Sequence, residues 1–163
     1  MITRSGIGYD VHRLEADRPL VLGGVLLRHP QGLGLAGHSD ADVLCHAIAD
    51  AILGAAGLQD IGHYFPNTDP ALRGISSLEI LRRVAGIIAD EGARLINVDS
   101  MLIAEEPRIG PFVQEMRELI AKSLGLDSKR IGVKATTNEH LGFLGRGEGI
   151  AALATATLQT EEE

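Results

Sequence analysis

The residue types best suited to chemistry fall in two short stretches near the N-terminus, Gly-Tyr-Asp-Val-His and His-Ser-Asp-Ala-Asp-Val-Leu-Cys-His. In an extended strand Asp10 and His12 are two residues apart, so they point to the same face. In a helix Asp42 and His46 are four apart and also share a face. One carboxylate and two imidazoles, from Asp10, His12 and His46, would give three protein ligands with a fourth position open. That is the arrangement of a catalytic zinc site.

The elements that must position these residues follow from the hydrophobic pattern and its turn signals. The pattern predicts strands over 2–12, 95–104, 131–136 and 150–158, a hairpin over Pro19–Leu27, and helices from Ser39 to near Gly57, from Ser76 to Gly92 and from Pro111 to Leu124. Segments 28–37 and 59–73 are predicted as loops, and the second, rich in turn formers, is a candidate binding loop.

The order of these elements does not repeat a βαβ unit, which favours an α+β fold with helices on one face of a sheet. We expect one domain over residues 1–160 and an acidic tail over 161–163. Ser39 is predicted as the N-cap of the first helix. Asp42 is interpreted as an acidic residue attracted by the helix dipole, not as a ligand, and Asp40 and Asp50 receive the same interpretation.

Composition limits the classes of function. The net charge of −7 and the absence of a basic run argue against a nonspecific nucleic-acid binder. No long apolar run suggests a membrane span, and no basic leader precedes the first strand, so a cytoplasmic location is expected. The single cysteine, Cys45, agrees with a reducing compartment and is predicted to be buried in a helix. An acidic protein that binds phosphate must supply positive charge locally, through metals, arginines or helix N-termini.

Four strings of the sequence carry a family resemblance. They are the two quoted above, Asp-Ile-Gly-His-Tyr-Phe-Pro-Asn-Thr-Asp, and Val-Lys-Ala-Thr-Thr-Asn-Glu-His-Leu-Gly-Phe-Leu-Gly-Arg-Gly-Glu-Gly-Ile. Over essentially its whole length the chain resembles the 2-C-methyl-D-erythritol 2,4-cyclodiphosphate synthase family. The resemblance implies a lyase of non-mevalonate isoprenoid biosynthesis that cyclises 4-diphosphocytidyl-2-C-methyl-D-erythritol 2-phosphate and releases CMP. It also implies a homotrimer with sheets toward the threefold axis and active sites between subunits.

The same resemblance assigns roles to individual residues. Asp10, His12 and His46 would hold zinc, and Glu139 would hold a second divalent ion, magnesium or manganese. His38 and Thr137 would donate to the transition state. The resemblance implies substrate contacts from Asp10, Val11, His12, His38, Ser39, Asp60, Ile61, Gly62, Phe65, Pro66, Asn67, Thr68, Asp69, Ala104, Glu105, Glu106, Pro107, Arg108, Ile109, Gly110, Thr136, Thr137, Asn138, Glu139, Phe143 and Arg146.

Two other functions remain as alternatives. The same zinc site could activate water for hydrolysis, with Glu139 as general base, and would then release linear products. A noncatalytic trimer could bind an isoprenoid in an apolar axial cavity or associate with neighbouring pathway enzymes. Spacing alone leaves the two enzymatic functions nearly tied, and the resemblance puts cyclisation first. Arg146 and Glu148 could equally form a structural pair, and His29 and His63 are predicted on the surface.

Overall fold

The computed structural model describes residues 1–161, so Glu162 and Glu163 of the predicted acidic tail lie outside the described residues. The strands are β1 (Ile2–Ala16), β2 (Leu20–Leu22), β3 (Val25–Leu27), β4 (Leu33–Leu35), β5 (Arg94–Ile103), β6 (Lys134–Thr136) and β7 (Gly149–Thr160). The α-helices are α1 (Val43–Ala55), α2 (Ile61–Tyr64), α3 (Ser77–Asp90), α4 (Val113–Leu124) and α5 (Gly142–Gly145). Short 3-10 turns occupy Pro70–Leu72, Gly110–Phe112 and Ser128–Arg130.

A five-stranded mixed sheet in the order β4-β1-β7-β5-β6 supports the molecule. The long strands β1, β7 and β5 pair antiparallel, and the short β6 pairs parallel to β5. The predicted hairpin over Pro19–Leu27 is confirmed as the two-stranded β2-β3 sheet. The strands β1 and β5 run in the same direction. Asp10 and His12 of β1 therefore lie at the same end of the sheet as the C-terminal end of β5.

Helix α1 covers one face of the sheet, lying on β1 and β7. Gly6 and Gly8 of β1 allow this close approach, since a Cβ at either position would collide with the backbone of α1. Helix α3 packs on α1, and α4 packs on α3. The buried core between these layers is made mainly of Leu, Ile, Val and Ala, as expected from a composition with 3% aromatic residues. The prediction of a single α+β domain is confirmed.

The first helix begins later than the sequence predicted. Its N-cap is Asp42, whose Oδ1 accepts the Cys45 N–H at 3.1 Å, and Ser39 Oγ instead accepts the Ala41 N–H at 3.1 Å. Asp42 also accepts the N–H groups of Gly23 and Gly24, at 2.9 and 2.7 Å, so it joins the hairpin to the start of α1. Ser39 as N-cap was wrong because Asp42 satisfies three backbone donors at once.

Several predicted loops contain regular structure. Segment 28–37 includes β4, and segment 59–73 includes α2 and a 3-10 turn. The strand predicted over 131–136 is shorter, because only 134–136 pair continuously with β5 and Ile131 makes an isolated bridge to Val98. His29 is buried, not on the surface, and its Nδ1 accepts the Gln31 N–H at 3.1 Å. Within residues 1–161, none of the helices combines the length and apolar character that a bilayer span requires.

Candidate metal centre and substrate cavity

Three side chains converge at the junction of β1 and α1. His12 Nε2 lies 2.9 Å from Asp10 Oδ2, His46 Nδ1 lies 3.1 Å from the same oxygen, and the two ring nitrogens are 3.3 Å apart. Donors in a tetrahedral zinc site, each about 2.0–2.2 Å from the metal, lie about 3.3 Å from one another. The three atoms therefore lie close enough together to bind one metal ion, and the predicted grouping of Asp10, His12 and His46 is present.

The secondary structure explains this convergence. Alternation along β1 points Asp10 and His12 toward α1, on the same face as Gly8, where the missing side chain keeps the helix close. His46 follows the Asp42 cap by one helical turn, and its N–H donates to the Asp42 carbonyl at 3.0 Å. Because the Asp42 cap fixes where α1 begins, it also fixes the turn of α1 from which His46 faces Asp10 and His12 of β1.

The opposite nitrogen of each imidazole is also engaged. His12 Nδ1 lies 2.6 Å from the Ala36 carbonyl oxygen, to which it can only donate, so Nε2 is left as the free ligand atom. His46 Nε2 lies 2.9 Å from Ser77 Oγ and 3.2 Å from Ser39 Oγ. Such outer contacts fix the tautomer and orientation of metal-binding histidines.

Electrostatics at the centre favour a cation. Burial alone would raise the pKa of Asp10, but hydrogen bonds and charge interactions with His12 and His46 outweigh it and hold that pKa below its ordinary value. Burial alone would lower the pKa of His12, but the hydrogen bond and the charge of Asp10 raise it. The Asp10 carboxylate is thus ionised at neutral pH, which is the state that a divalent metal requires of a carboxylate ligand.

A cavity of about 780 Å³ opens beside these three residues. The cavity is lined by most of the predicted substrate-contacting residues from the first 69 positions of the chain. They are Asp10, His12, His38, Ser39, Ile61, Gly62, Phe65, Pro66, Asn67, Thr68 and Asp69. Asp60 stands next to it as the N-cap of α2 and accepts the His63 N–H at 3.2 Å. Val11 is the exception, because strand alternation turns its side chain to the opposite face of the sheet.

A second group of predicted residues clusters around Glu105. The Ala104 N–H donates to the Thr136 carbonyl at 3.0 Å, and Glu105 Oε1 accepts the N–H groups of Asn138 and His140 at 2.8 and 3.3 Å. We call residues 136–140 the 136–140 loop. Glu139, the predicted ligand of the second cation, adopts a left-handed φ of 52°, and His140 follows at 59°. Left-handed backbone at two successive non-glycine residues is strained and is concentrated at functional sites.

The two groups are separate within one chain. Asp10 pairs with Ala152, Ala152 with Leu102, and Leu102 with Ala135, so β6 stands three strands from β1. At about 4.8 Å per strand, this separation is about 15 Å. Among residues 1–161, the cavity lining includes no residue of 104–110 or 136–146.

The remaining predicted contacts lie near α5. Phe143 belongs to this short helix and is 43% exposed. Arg146 pairs with Glu148 at 2.7 Å, as in the structural interpretation of these two residues. Gly142 and Gly147 have positive φ, and Gly145 and Gly149 lie too close to neighbouring backbone for a Cβ.

Sequence reasoning missed Arg73, which lines the cavity, and Ser77, which contacts His46. Within residues 1–161, Arg73 is the only lysine or arginine that lines the cavity. The adjacent Gly74 N–H donates to the His38 carbonyl at 3.0 Å. Ser77 falls within the helix predicted from Ser76 to Gly92, and its Oγ lies 2.9 Å from His46 Nε2. A basic residue at the end of the candidate binding loop was an available signal for Arg73, whereas the contact of Ser77 depends on tertiary packing.

The sequence matches a known protein family over most of its length. The model of the YgbB family matches residues 3–159. The chain belongs to the YgbB family. It is 56% identical to a 2-C-methyl-D-erythritol 2,4-cyclodiphosphate synthase of Akkermansia muciniphila, over 100% of this chain and 96% of the relative.

Solved structures of the family superpose closely on this chain. The bifunctional IspDF of Campylobacter jejuni is 45% identical with a TM-score of 0.92, covering 99% of this chain, which spans 43% of that longer protein. A CDP complex of IspF from Plasmodium falciparum is 32% identical with a TM-score of 0.84, over 98% of this chain and 97% of its own.

Proposed function

We propose that this chain, as one domain over residues 1–160, is a lyase that cyclises 4-diphosphocytidyl-2-C-methyl-D-erythritol 2-phosphate. The products are 2-C-methyl-D-erythritol 2,4-cyclodiphosphate and CMP, in non-mevalonate isoprenoid biosynthesis. One observation carries the proposal: in a chain matched to the YgbB family over residues 3–159, Asp10, His12 and His46 present three metal-donor atoms to a substrate-sized cavity.

The reaction needs no external nucleophile. An oxygen of the 2-phosphate attacks the β-phosphorus, a new P–O bond closes the ring, and the bond to the α-phosphate breaks. CMP leaves with the electron pair of that bond, and no water is consumed. Because an anionic nucleophile approaches an anionic phosphorus, catalysis depends on positioning and on local positive charge.

We assign zinc to Asp10, His12 and His46, since one carboxylate oxygen and two imidazole nitrogens suit this ion with a fourth position open. Bound there, zinc would orient and polarise a phosphate oxygen of the substrate. Glu139, on the strained 136–140 loop, is the proposed ligand of magnesium or manganese. The carboxylate chemistry of Glu139 fits such a hard cation.

The cavity suits the methylerythritol phosphate end of the substrate. We call Asp10, His12 and His46 the metal group. Beside it, His38 and Ser39 offer hydrogen-bonding side chains, and Arg73 supplies the fixed positive charge that a phosphate requires. The other group suits the CDP end: 104–110 form the cytidine pocket, and Thr136, Thr137 and Asn138 hold the diphosphate. His38 and Thr137 are the proposed donors to the transition state, with Phe143 and Arg146 completing the contacts.

A homotrimer would bring these halves together. Residues on the face of the sheet away from α1 form an apolar stripe, in which Tyr9 pairs with Leu153 and Leu153 with Met101. Ile7 and Tyr9 are 72% and 52% exposed in the single chain. An exposed apolar sheet face supports an interface between subunits, and packing three such sheets around an axis would cover it. The separation of the two groups likewise supports a site completed by a neighbouring subunit.

The proposal includes two further points. An apolar axial cavity lined by this stripe could hold an isoprenoid. The reaction is proposed to take place in the cytoplasm, which the single cysteine, Cys45, free and buried, supports.

The decisive experiment is turnover of the authentic substrate. Purified protein is incubated with it in the presence of zinc and magnesium, or of a chelator, and the products are resolved by mass spectrometry. Metal-dependent formation of CMP and the cyclic diphosphate is expected. A product heavier by one water would instead indicate hydrolysis, and no turnover by folded, metal-loaded trimer would indicate a binding module.

A further inference from the structure

A chain of hydrogen bonds runs from the carboxylate of Asp40 to the imidazole of His46. Asp40 Oδ2 accepts the Ser77 N–H at 2.9 Å, and its Oδ1 accepts the Ser77 hydroxyl. Because that hydroxyl donates its proton to Asp40, Ser77 Oγ can only accept from His46 Nε2, which is 2.9 Å away. His46 therefore carries a proton on Nε2, which leaves Nδ1, beside Asp10 and His12, as the nitrogen that can bind a metal.

The position of Ser77 leaves little room for a substitute partner. Ser77 is fully buried and His46 is 7% exposed, so a water cannot readily replace the hydroxyl. The other neighbour of Nε2, Ser39 Oγ, is more distant at 3.2 Å, and its hydroxyl can either donate to Nε2 or accept from it, so Ser39 alone does not fix the tautomer. Losing the Ser77 hydroxyl would therefore weaken the preference of His46 for the proton on Nε2.

We propose that Asp40 is a positioning residue that acts through Ser77 to fix the tautomer and orientation of His46 for metal binding. The proposal rests on the zinc role proposed above for His46. It assigns to Asp40 a task different from the helix-dipole role expected from its sequence position before α1. Asp40 belongs to the segment before α1 and Ser77 begins α3, so the contact also ties two elements to the metal centre.

A purely structural role would be a capping role, because Asp40 also binds the first N–H of α3. The neighbouring serine separates the two explanations. Ser76 occupies the N-cap position of the same helix, but its side chain makes no capping hydrogen bond. Ser76→Ala is thus a matched control for Ser77→Ala: both remove one hydroxyl at the start of α3, and only one of these hydroxyls touches His46.

The test uses the full chain and two readouts that do not require turnover. Zinc affinity is measured by competition with a chromogenic chelator, and the protonation of His46 is followed in metal-free protein by ¹⁵N chemical shifts of its imidazole. In the wild type the shifts should show that Nε2 is protonated. Ser77→Ala should lose that preference and bind zinc about 10- to 100-fold more weakly, while Ser76→Ala should match the wild type.

Asp40→Asn tests the carboxylate itself and provides a second variant if Ser77→Ala does not fold. It should lower zinc affinity in the same direction, since an amide orients the Ser77 hydroxyl less strongly. Unchanged zinc affinity and unchanged His46 shifts in either folded variant would overturn the proposal. If the wild type takes up no zinc, the metal assignment made under the proposed function is overturned. If the wild type and Ser77→Ala bind zinc equally, the metal assignment stands and only the role of Asp40 and Ser77 is overturned.

Discussion

The metal group and the 136–140 loop lie at the same end of the sheet but are held in different ways. Asp10 and His12 stand on a long paired strand and His46 on a buried helix, and partners fix both imidazoles. The 136–140 loop is exposed, has left-handed backbone at Glu139 and His140, and depends largely on one side chain, Glu105. The three residues Asp10, His12 and His46 are therefore preorganised within one chain, whereas the 136–140 loop is exposed and has fewer supporting contacts.

The largest expected effect is that of His46→Ala on the metal group. Removing one of three ligands should abolish stoichiometric zinc uptake and, through the lost charge stabilisation, lower turnover by at least about 10³-fold. CDP affinity should stay within about threefold, because none of the residues proposed to hold CDP, 104–110 and 136–138, is a proposed zinc ligand. Zinc content by mass spectrometry and CDP binding by calorimetry check both points.

His63→Ala is the control for this substitution, since His63 is exposed and is absent from the cavity lining. It should retain zinc and activity. A full complement of zinc in His46→Ala would contradict the ligand assignment. A large loss of CDP affinity in the same variant would contradict the independence of the two regions.

In the proposed function, the two regions meet in one active site only in a homotrimer, and Leu153→Asp should break that proposed trimer. The substitution puts a carboxylate in the apolar stripe, where burial between subunits would leave it unpaired. The variant should run as a monomer in light scattering and lose activity by at least about 10²-fold while keeping its zinc. Leu26→Asp, at a 70% exposed position on the separate hairpin, should stay trimeric. A trimeric Leu153→Asp would place the interface elsewhere.

The sequence predicted the metal group better than its surroundings, for physical reasons. The strand period puts Asp10 and His12 on one face of β1, and the helix period puts His46 one turn after Asp42, because such spacing is local. The grouping of the three residues was inferred from their ligand chemistry and from the family resemblance. The roles of Asp40 and Ser77 join residues 37 positions apart, and no periodicity encodes that contact. The cap of α1 was misplaced for the same reason: the advantage of Asp42 comes from the hairpin donors.

The fold was predicted to a similar extent. The long strands and helices have clear apolar periods and turn signals, and were found within a few residues of their bounds. The short β4, α2 and α5 contain three or four residues each, too few to show a period. The second half of the site was assigned by resemblance alone, because loop carboxylates such as Glu139 carry no spacing signal.

Arg73→Gln should weaken substrate binding without disturbing the nucleotide half. If Arg73 contacts the methylerythritol phosphate, losing its charge-assisted hydrogen bonds costs about 1.5–3 kcal/mol, or about 10- to 100-fold in substrate affinity. CDP affinity should not change, and Arg73→Lys should recover part of the loss. Arg28→Gln is the control, because Arg28 is exposed and lies outside the cavity lining. Equal losses for CDP and substrate would place Arg73 at the nucleotide end instead.

The smallest expected effect is that of changing Glu105, the side chain that accepts hydrogen bonds from the 136–140 loop. Glu105 is 11% exposed at its side chain, and Glu105→Gln replaces a charged acceptor of two loop N–H groups with a neutral one. Losing about 1 kcal/mol from these bonds should lower CDP affinity about fivefold, with zinc uptake unchanged. Glu91→Gln, on the exposed end of α3, is the control. The strained residues of the loop, Glu139 and His140, are adjacent, so we expect the effect of Glu105→Gln to stay within the loop. A parallel loss of zinc would mean that the two regions form one cooperative unit.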